Sequence, residues 1–431
     1  MKTNAVRPSS RSASALLALC LALAGFCVSA EAKKDQCEGT KEERKQKFAP
    51  RSMSDEKLAS VVAAYEKTVA ADLEGVRQAA TRRLEREFKE HEATGAPFVY
   101  DVLVLSGGGS KGAFGTGFLE GWGTVKDGPD ARPEFDMVTG VSTGALIAPF
   151  AFIGTDEAYS SIASLYANPE EDWAKKRGWL FFLPKHASLF NTCHLKDAIH
   201  ERAAPGIVEA VGAGAAEDRL LLVGVTNLDI GRGRAIDLGH IALSRPAAEA
   251  REEIVDALLA SSAIPGAFPP VLIDGMLYAD GGATSNLFIV TFPGPGGPLS
   301  RFKETHPGAA LPKIRLWVIV NQKLMAKQES IQPRWVSVSG QGLSVLTATS
   351  QRFALNAMRQ MMREARDEKG LDVEMRLVSI PDSGPEPATP ALFEKAYMIQ
   401  LQELGRAMGA DPSSWATTLP SAFAADDIAG N

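Results

Sequence analysis

Twice in this chain a β-rich apolar run gives way to a glycine turn and then to a helix-like run. That repeated strand, turn and helix order restricts the fold more than any other feature. The first copy is Phe98 to Leu105, then Ser106-Gly107-Gly108-Gly109-Ser110-Lys111-Gly112, then Ala113 to Leu119. The second runs from Phe135-Asp136-Met137-Val138 through Gly140-Val141-Ser142-Thr143-Gly144 into Ala145 to Phe150. The first strand is mostly apolar, as a strand covered on both faces should be. Further strands are expected at 220–225, 314–320 and 373–380, with helices between them, so the chain reads as an α/β fold.

The flanking segments set the domain expectations. Lys2, Arg7 and Arg11, an apolar run from Ala13 to Val28 and small residues at Ser29, Ala30 and Ala32 have the order of a secretory signal peptide, taken as residues 1–30. Export would leave Cys37 and Cys193 in an oxidising compartment, where they could be bridged. Residues 31–95 read as a polar linker followed by a helix over 54–91, breakable near Gly75, and residues 96–408 as the catalytic domain. Helices are expected over 343–369 and 391–408, and residues 409–431 as a flexible tail. With 431 residues, 45% of them hydrophobic, the chain can bury a large core. Its net charge of -6, with no basic stripe, argues against a nucleic-acid partner.

A serine on a strand-to-helix turn presents its hydroxyl outward, which makes Ser142 the candidate nucleophile. The Gly107 to Gly112 loop fits G-x-G-x-x-G, so a dinucleotide site, a plain turn and an oxyanion cradle of bare backbone N–H groups are all open. The acidic residue that a dinucleotide site wants at the end of the next strand is replaced by Gly140 to Gly144. None of the six histidines stands in a catalytic context, and Cys193-His194 has no further ligands at metal spacing. A carboxylate must then serve as base. Asp274-Gly275 reads as the turn of a hairpin over 271–278, whereas Asp280, beyond the second arm, is followed by Gly281 and Gly282, which let another group come close. The run Trp179 to Pro184 is aromatic and apolar enough to touch a lipid surface, or else to be core.

Gly-Gly-Gly-x-Lys-Gly at 107–112, Gly-x-Ser-x-Gly at 140–144 and Asp-Gly-Gly at 280–282, in this order, resemble the patatin-like phospholipases. Ser188-Leu189-Phe190 and Ala260 to Pro270 resemble family segments too. The resemblance implies a three-layer α/β/α fold with a mainly parallel central sheet and lipid acyl-ester hydrolysis of the phospholipase A type, without cofactor or metal. It implies Ser142 as nucleophile, Asp280 as its base, Gly107, Gly108, Gly109, Lys111 and Gly112 as oxyanion hole, and Gly140, Gly144, Gly281 and Gly282 as motif glycines. The partner would be a lipid or membrane surface, with protein partners undefined. A non-catalytic lipid- or protein-binding module is the alternative. Asn286-Leu287-Phe288, where the family often has proline third, and the helix at 54–91 depart from the pattern.

Overall fold

Strand residues alternate between two apolar layers, one on each face of a central sheet. The computed structural model describes residues 54–169, 173–176, 188–200, 206–290, 296–325, 330–389 and 391–419. The leader, Cys37, the Cys193 side chain and the run Trp179 to Pro184 lie outside the described residues or side chains.

In chain order the helices are α1 (Asp55–Thr94), α2 (Gly112–Trp122), α3 (Thr143–Ile153), α4 (Asp156–Ala167), α5 (Cys193–Ala198), α6 (Ile207–Ala216), α7 (Leu238–Ser244), α8 (Ala247–Ser261), α9 (Pro298–Thr305), α10 (Trp335–Lys369) and α11 (Lys395–Gly409). The strands are β1 (Val99–Leu105), β2 (Met137–Val141), β3 (Lys175–Lys176), β4 (Phe190–Asn191), β5 (Leu220–Asn227), β6 (Arg232–Asp237), β7 (Val271–Ile273), β8 (Met276–Asp280), β9 (Lys313–Val320) and β10 (Val373–Ser379). The main sheet runs β10-β9-β1-β2-β5-β8-β7, with β6 also paired to β5. Its β10, β9, β1, β2 and β5 are parallel, and β6, β7 and β8 enter antiparallel. Leu103, Leu105 and Val138 face a layer with Phe114, Phe118, Ala148 and Leu401. Val102, Val104 and Met137 face the other, with Leu84, Phe302, Leu355 and Met358. This is the three-layer α/β/α architecture with a mainly parallel sheet.

Helix α1 begins as its sequence implies, with the Ser54 hydroxyl accepting from the Lys57 N–H at 3.3 Å. It ends at Gly95, whose φ of 74° is the left-handed conformation of a C-cap. The expected break at Gly75 is absent. A lone glycine costs a helix only about 1 kcal/mol against alanine, and Val76, Ala80, Leu84 and Phe88 hold the helix to the sheet through it. Arg83 adds a buried pair to Asp136, Nε to Oδ1 2.6 Å, at the start of β2. Helix α10 starts eight residues before the expected Leu343, because Val336-Ser337-Val338-Ser339-Gly340 hides helical periodicity behind alternation and glycine.

The expected flexible tail is corrected over its first ten residues. Trp415 is buried, its ring centroid 4.9 Å from Phe118, 4.8 Å from Trp122 and 5.2 Å from Trp317. Ala416 exchanges two 2.8 Å backbone hydrogen bonds with Leu377 of β10. A single large aromatic escapes a periodicity search, yet it anchors this segment. Trp415→Ala should destabilise the fold by about 3–5 kcal/mol, the usual cost of emptying a tryptophan site, measurable as a lower midpoint in urea unfolding.

Candidate active site

Strand β5 brings the two halves of the site together by register alone. Strand β6 occupies one edge of β5 over Leu222 to Asn227. On the other edge β2 pairs up to Val141 opposite Gly224, and β8 continues with Asp280 opposite Val225. Ser142, the residue after β2, therefore meets Asp280, the last residue of β8. The Ser142 hydroxyl bears on the Asp280 carboxylate closely enough to favour its ionised form, although the two stand far apart in the chain.

Ser142 sits on a sharp turn with φ 54° and ψ -123°, a strained conformation for a side-chain-bearing residue that costs of order 1–3 kcal/mol. The turn closes because its neighbours lack side chains. A Cβ on Gly140 would strike the carbonyl of Gly144, and one on Gly144 that of Leu105. The Ser142 N–H donates to Ser261 Oγ at 3.0 Å, and Ser261 Oγ donates to the Gly224 carbonyl at 2.7 Å. The positive end of α3, beginning at Thr143, points into the site.

Asp280 is held from three sides. Its N–H donates to the Ala263 carbonyl at 2.9 Å, its carbonyl accepts from Thr226 Oγ1 at 2.9 Å, and its Oδ1 accepts from the Gly282 N–H at 2.7 Å. Burial pushes its carboxyl up to about 6, against the lowering effect of the hydrogen bonds from Ser142 and Gly282. A Cβ on Gly281 would strike the Gly224 carbonyl. Asp274 and Gly275, at φ 51° and 76°, form the hairpin turn read from the sequence.

The glycine cradle is narrower than expected. Gly107 donates its N–H to the Asn286 carbonyl at 3.2 Å, Lys111 to Gly108 at 3.2 Å, and Gly112 to Gly109 and Ser110. These three donors are consumed within the fold, whereas no hydrogen bond among the described residues engages the N–H groups of Gly108 and Gly109. Gly109 also lines the cavity beside Ser142. Burial draws the Lys111 ammonium below its usual range, with nearby Glu386 opposing the shift.

Three supporting residues escaped sequence reasoning. Ser261 carries the turn, although its segment resembled a family stretch. Asn321, directly after β9, donates its N–H to Ser106 Oγ and its Nδ2 to the Ser106 carbonyl, both at 2.8 Å, and so fixes the loop leading to Gly108. Asn286, buried beside Gly107, donates Nδ2 to Gln351 Oε1 at 3.3 Å. A buried amide at a strand end is the one signal that could have marked Asn321 in advance.

A largely apolar cavity, open at its mouth, lies beside Ser142, with Leu146, Phe150, Ile162, Leu258, Ile264 and Phe268 in its wall. Among the described residues no histidine lines it. His91 contacts the Ala96 carbonyl, His200 pairs with Glu252, and His306 packs on Phe302.

Residues 103–292 match the patatin-like phospholipase family. Over these residues the chain is similar to that family. A cGAMP-activated phospholipase of Pseudomonas aeruginosa is 31% identical over 201 residues, which is 45% of this chain and 55% of that protein. The chain thus spans about half the length of this curated relative. The crystal structure of VipD from Legionella pneumophila aligns over 75% of this chain and 68% of its own, at 13% identity and a TM-score of 0.32. The patatin-like segment contains both Ser142 and Asp280, whereas α1, β9, α10, β10 and α11 lie outside it.

Proposed function

We propose that this protein is a lipid acyl hydrolase of the phospholipase A type, working through Ser142 and Asp280. The observation that carries the reading is the register of β2 and β8 on β5, which sets Ser142, at the wall of an apolar cavity, beside the buried Asp280 carboxylate. Asp280 takes the Ser142 proton as Oγ attacks an ester carbonyl, and the N–H groups of Gly108 and Gly109, with the N-terminal end of α3, receive the oxyanion. Asp280 then protonates the departing alcohol. Water, deprotonated in turn by Asp280, attacks acyl-Ser142 and releases the fatty acid. The cavity's apolar wall suits an acyl chain.

An ordinary aspartate is a poor base near neutrality, and the raised value of Asp280 moves it toward the working range. Asp280 can accept a proton only when ionised, so kcat/KM should rise with pH through about 6 and level off above it. Fatty-acid release from phospholipid vesicles, followed by mass spectrometry across pH, tests this. A flat profile through that window, or no fatty acid released, contradicts the reading. We also propose export, on the charged, apolar and small order of residues 1–32. Fractionation of producing cells checks it.

A further inference from the structure

We infer that the N-terminal part of α10 is an interfacial helix that seats the active site on an anionic lipid surface. The inference rests on the hydrolase reading above and adds how the substrate is reached.

Helix α10 is too long for the sheet it covers. Its 35 residues extend about 52 Å, against about 25 Å for strands of seven or eight residues. Its inward positions Ala348, Gln351, Leu355, Met358, Met362 and Ala365 recur at intervals of three and four and are all buried. The described side chains before Ala348 are not buried, so about 20 Å of helix overhangs the sheet.

The overhang stands at the catalytic edge. Because α10 joins the parallel strands β9 and β10, it runs against them, and its start lies at the carboxyl edge of the sheet, where Ser142 follows β2. Its root is tied to the site. Ser350 Oγ accepts from the Asn286 N–H at 3.1 Å, and Gln351 Oε1 accepts from Asn286 Nδ2, while Asn286 in turn accepts from Gly107.

The overhang is amphipathic with its apolar side bare. At about 100° per residue, Val338, Leu343, Val345, Leu346 and Phe353 fall within about 160° of one another, and Ser337, Gln341, Ser344 and Thr347 occupy the opposite side. All five apolar residues are exposed, Leu346 to 69% and Phe353 to 63%. Such a stripe next to water is unfavourable unless something covers it. Charge selects the cover. Between Glu329 and Glu364 there is no acidic residue, while Arg334, Arg352, Arg359 and Arg363 are basic, in a chain of net charge -6. A basic, apolar-striped helix suits the boundary between anionic headgroups and acyl chains. No described helix is long and apolar enough to cross a membrane, so the helix lies along the surface.

The test compares Leu343→Ser/Leu346→Ser/Phe353→Ser with the parent, and adds Leu346→Glu alone, at a position too exposed to matter for folding. Binding to phosphatidylcholine vesicles containing phosphatidylglycerol is measured in the Ser142→Ala background, and hydrolysis of a soluble short-chain ester in the active one. Both variants should bind vesicles roughly tenfold more weakly or worse, with soluble-ester hydrolysis unchanged. Unchanged vesicle binding overturns the inference. So does a parent dimer that the variants convert to monomer without loss of vesicle binding, which would assign the stripe to a second copy. A parent that hydrolyses no ester yet binds vesicles through Leu346 would refute the hydrolase reading and leave the docking helix standing.

Discussion

Ser142→Ala is expected to lower ester hydrolysis by about 10⁴-fold or more, while the protein folds and binds lipid as before. Removing a nucleophile abolishes the covalent route and leaves only the residual effect of binding and of oxyanion donors. The loss should fall on kcat, because the cavity wall of Leu146, Phe150 and Ile162 that would hold the acyl chain is untouched. Steady-state kinetics with a short-chain ester separate the two parameters. A variant retaining a tenth of the parent rate would remove Ser142 from the mechanism.

Asp280→Asn should have an effect nearly as large on activity and the opposite sign on stability. The amide can fill the same space, accept from the Gly282 N–H and donate to Ser142, but it cannot take a proton, so the rate should fall roughly 10²- to 10⁴-fold. On stability the sign follows from proton binding. Burial holds the carboxyl at about 6 in the fold, above its ordinary 3.8. The folded protein therefore holds the proton more tightly, and stability is lost as pH rises through that window. Above it, the buried charge costs of order 2–3 kcal/mol, which the amide does not incur. Urea unfolding should find Asp280→Asn more stable than the parent at about pH 8, the advantage shrinking toward about pH 4. Equal midpoints at both would mean that burial does not load this carboxylate.

What was legible in the sequence is what local chemistry dictates. The strands before Gly107 and Gly140, the Asp274-Gly275 hairpin, the Ser54 cap and the Gly95 stop rest on residues that specify their own backbone. Ser142 and Asp280 stand out as candidates for the same reason, each lying close to glycines that let another group approach. Their meeting follows from the sequence only through the family resemblance, because physically it depends on β2 and β8 sharing one edge of β5 end to end. Ser261, Asn286 and Asn321 were missed because a buried serine or asparagine becomes supporting only through partners distant in sequence. Trp415 was assigned to a tail because one aromatic among polar residues has no period. The contraction of the cradle to Gly108 and Gly109 was hidden likewise, since only the fold shows where Gly107, Lys111 and Gly112 send their N–H groups.

If Asp280 makes Ser142 nucleophilic, the rate of modification by a fluorophosphonate, with the adduct mapped by mass spectrometry, reads it out. A single adduct on Ser142 is expected, forming faster as pH rises through about 6 and nearly absent in Asp280→Asn. An adduct on another residue, or an undiminished rate in Asp280→Asn, would contradict it.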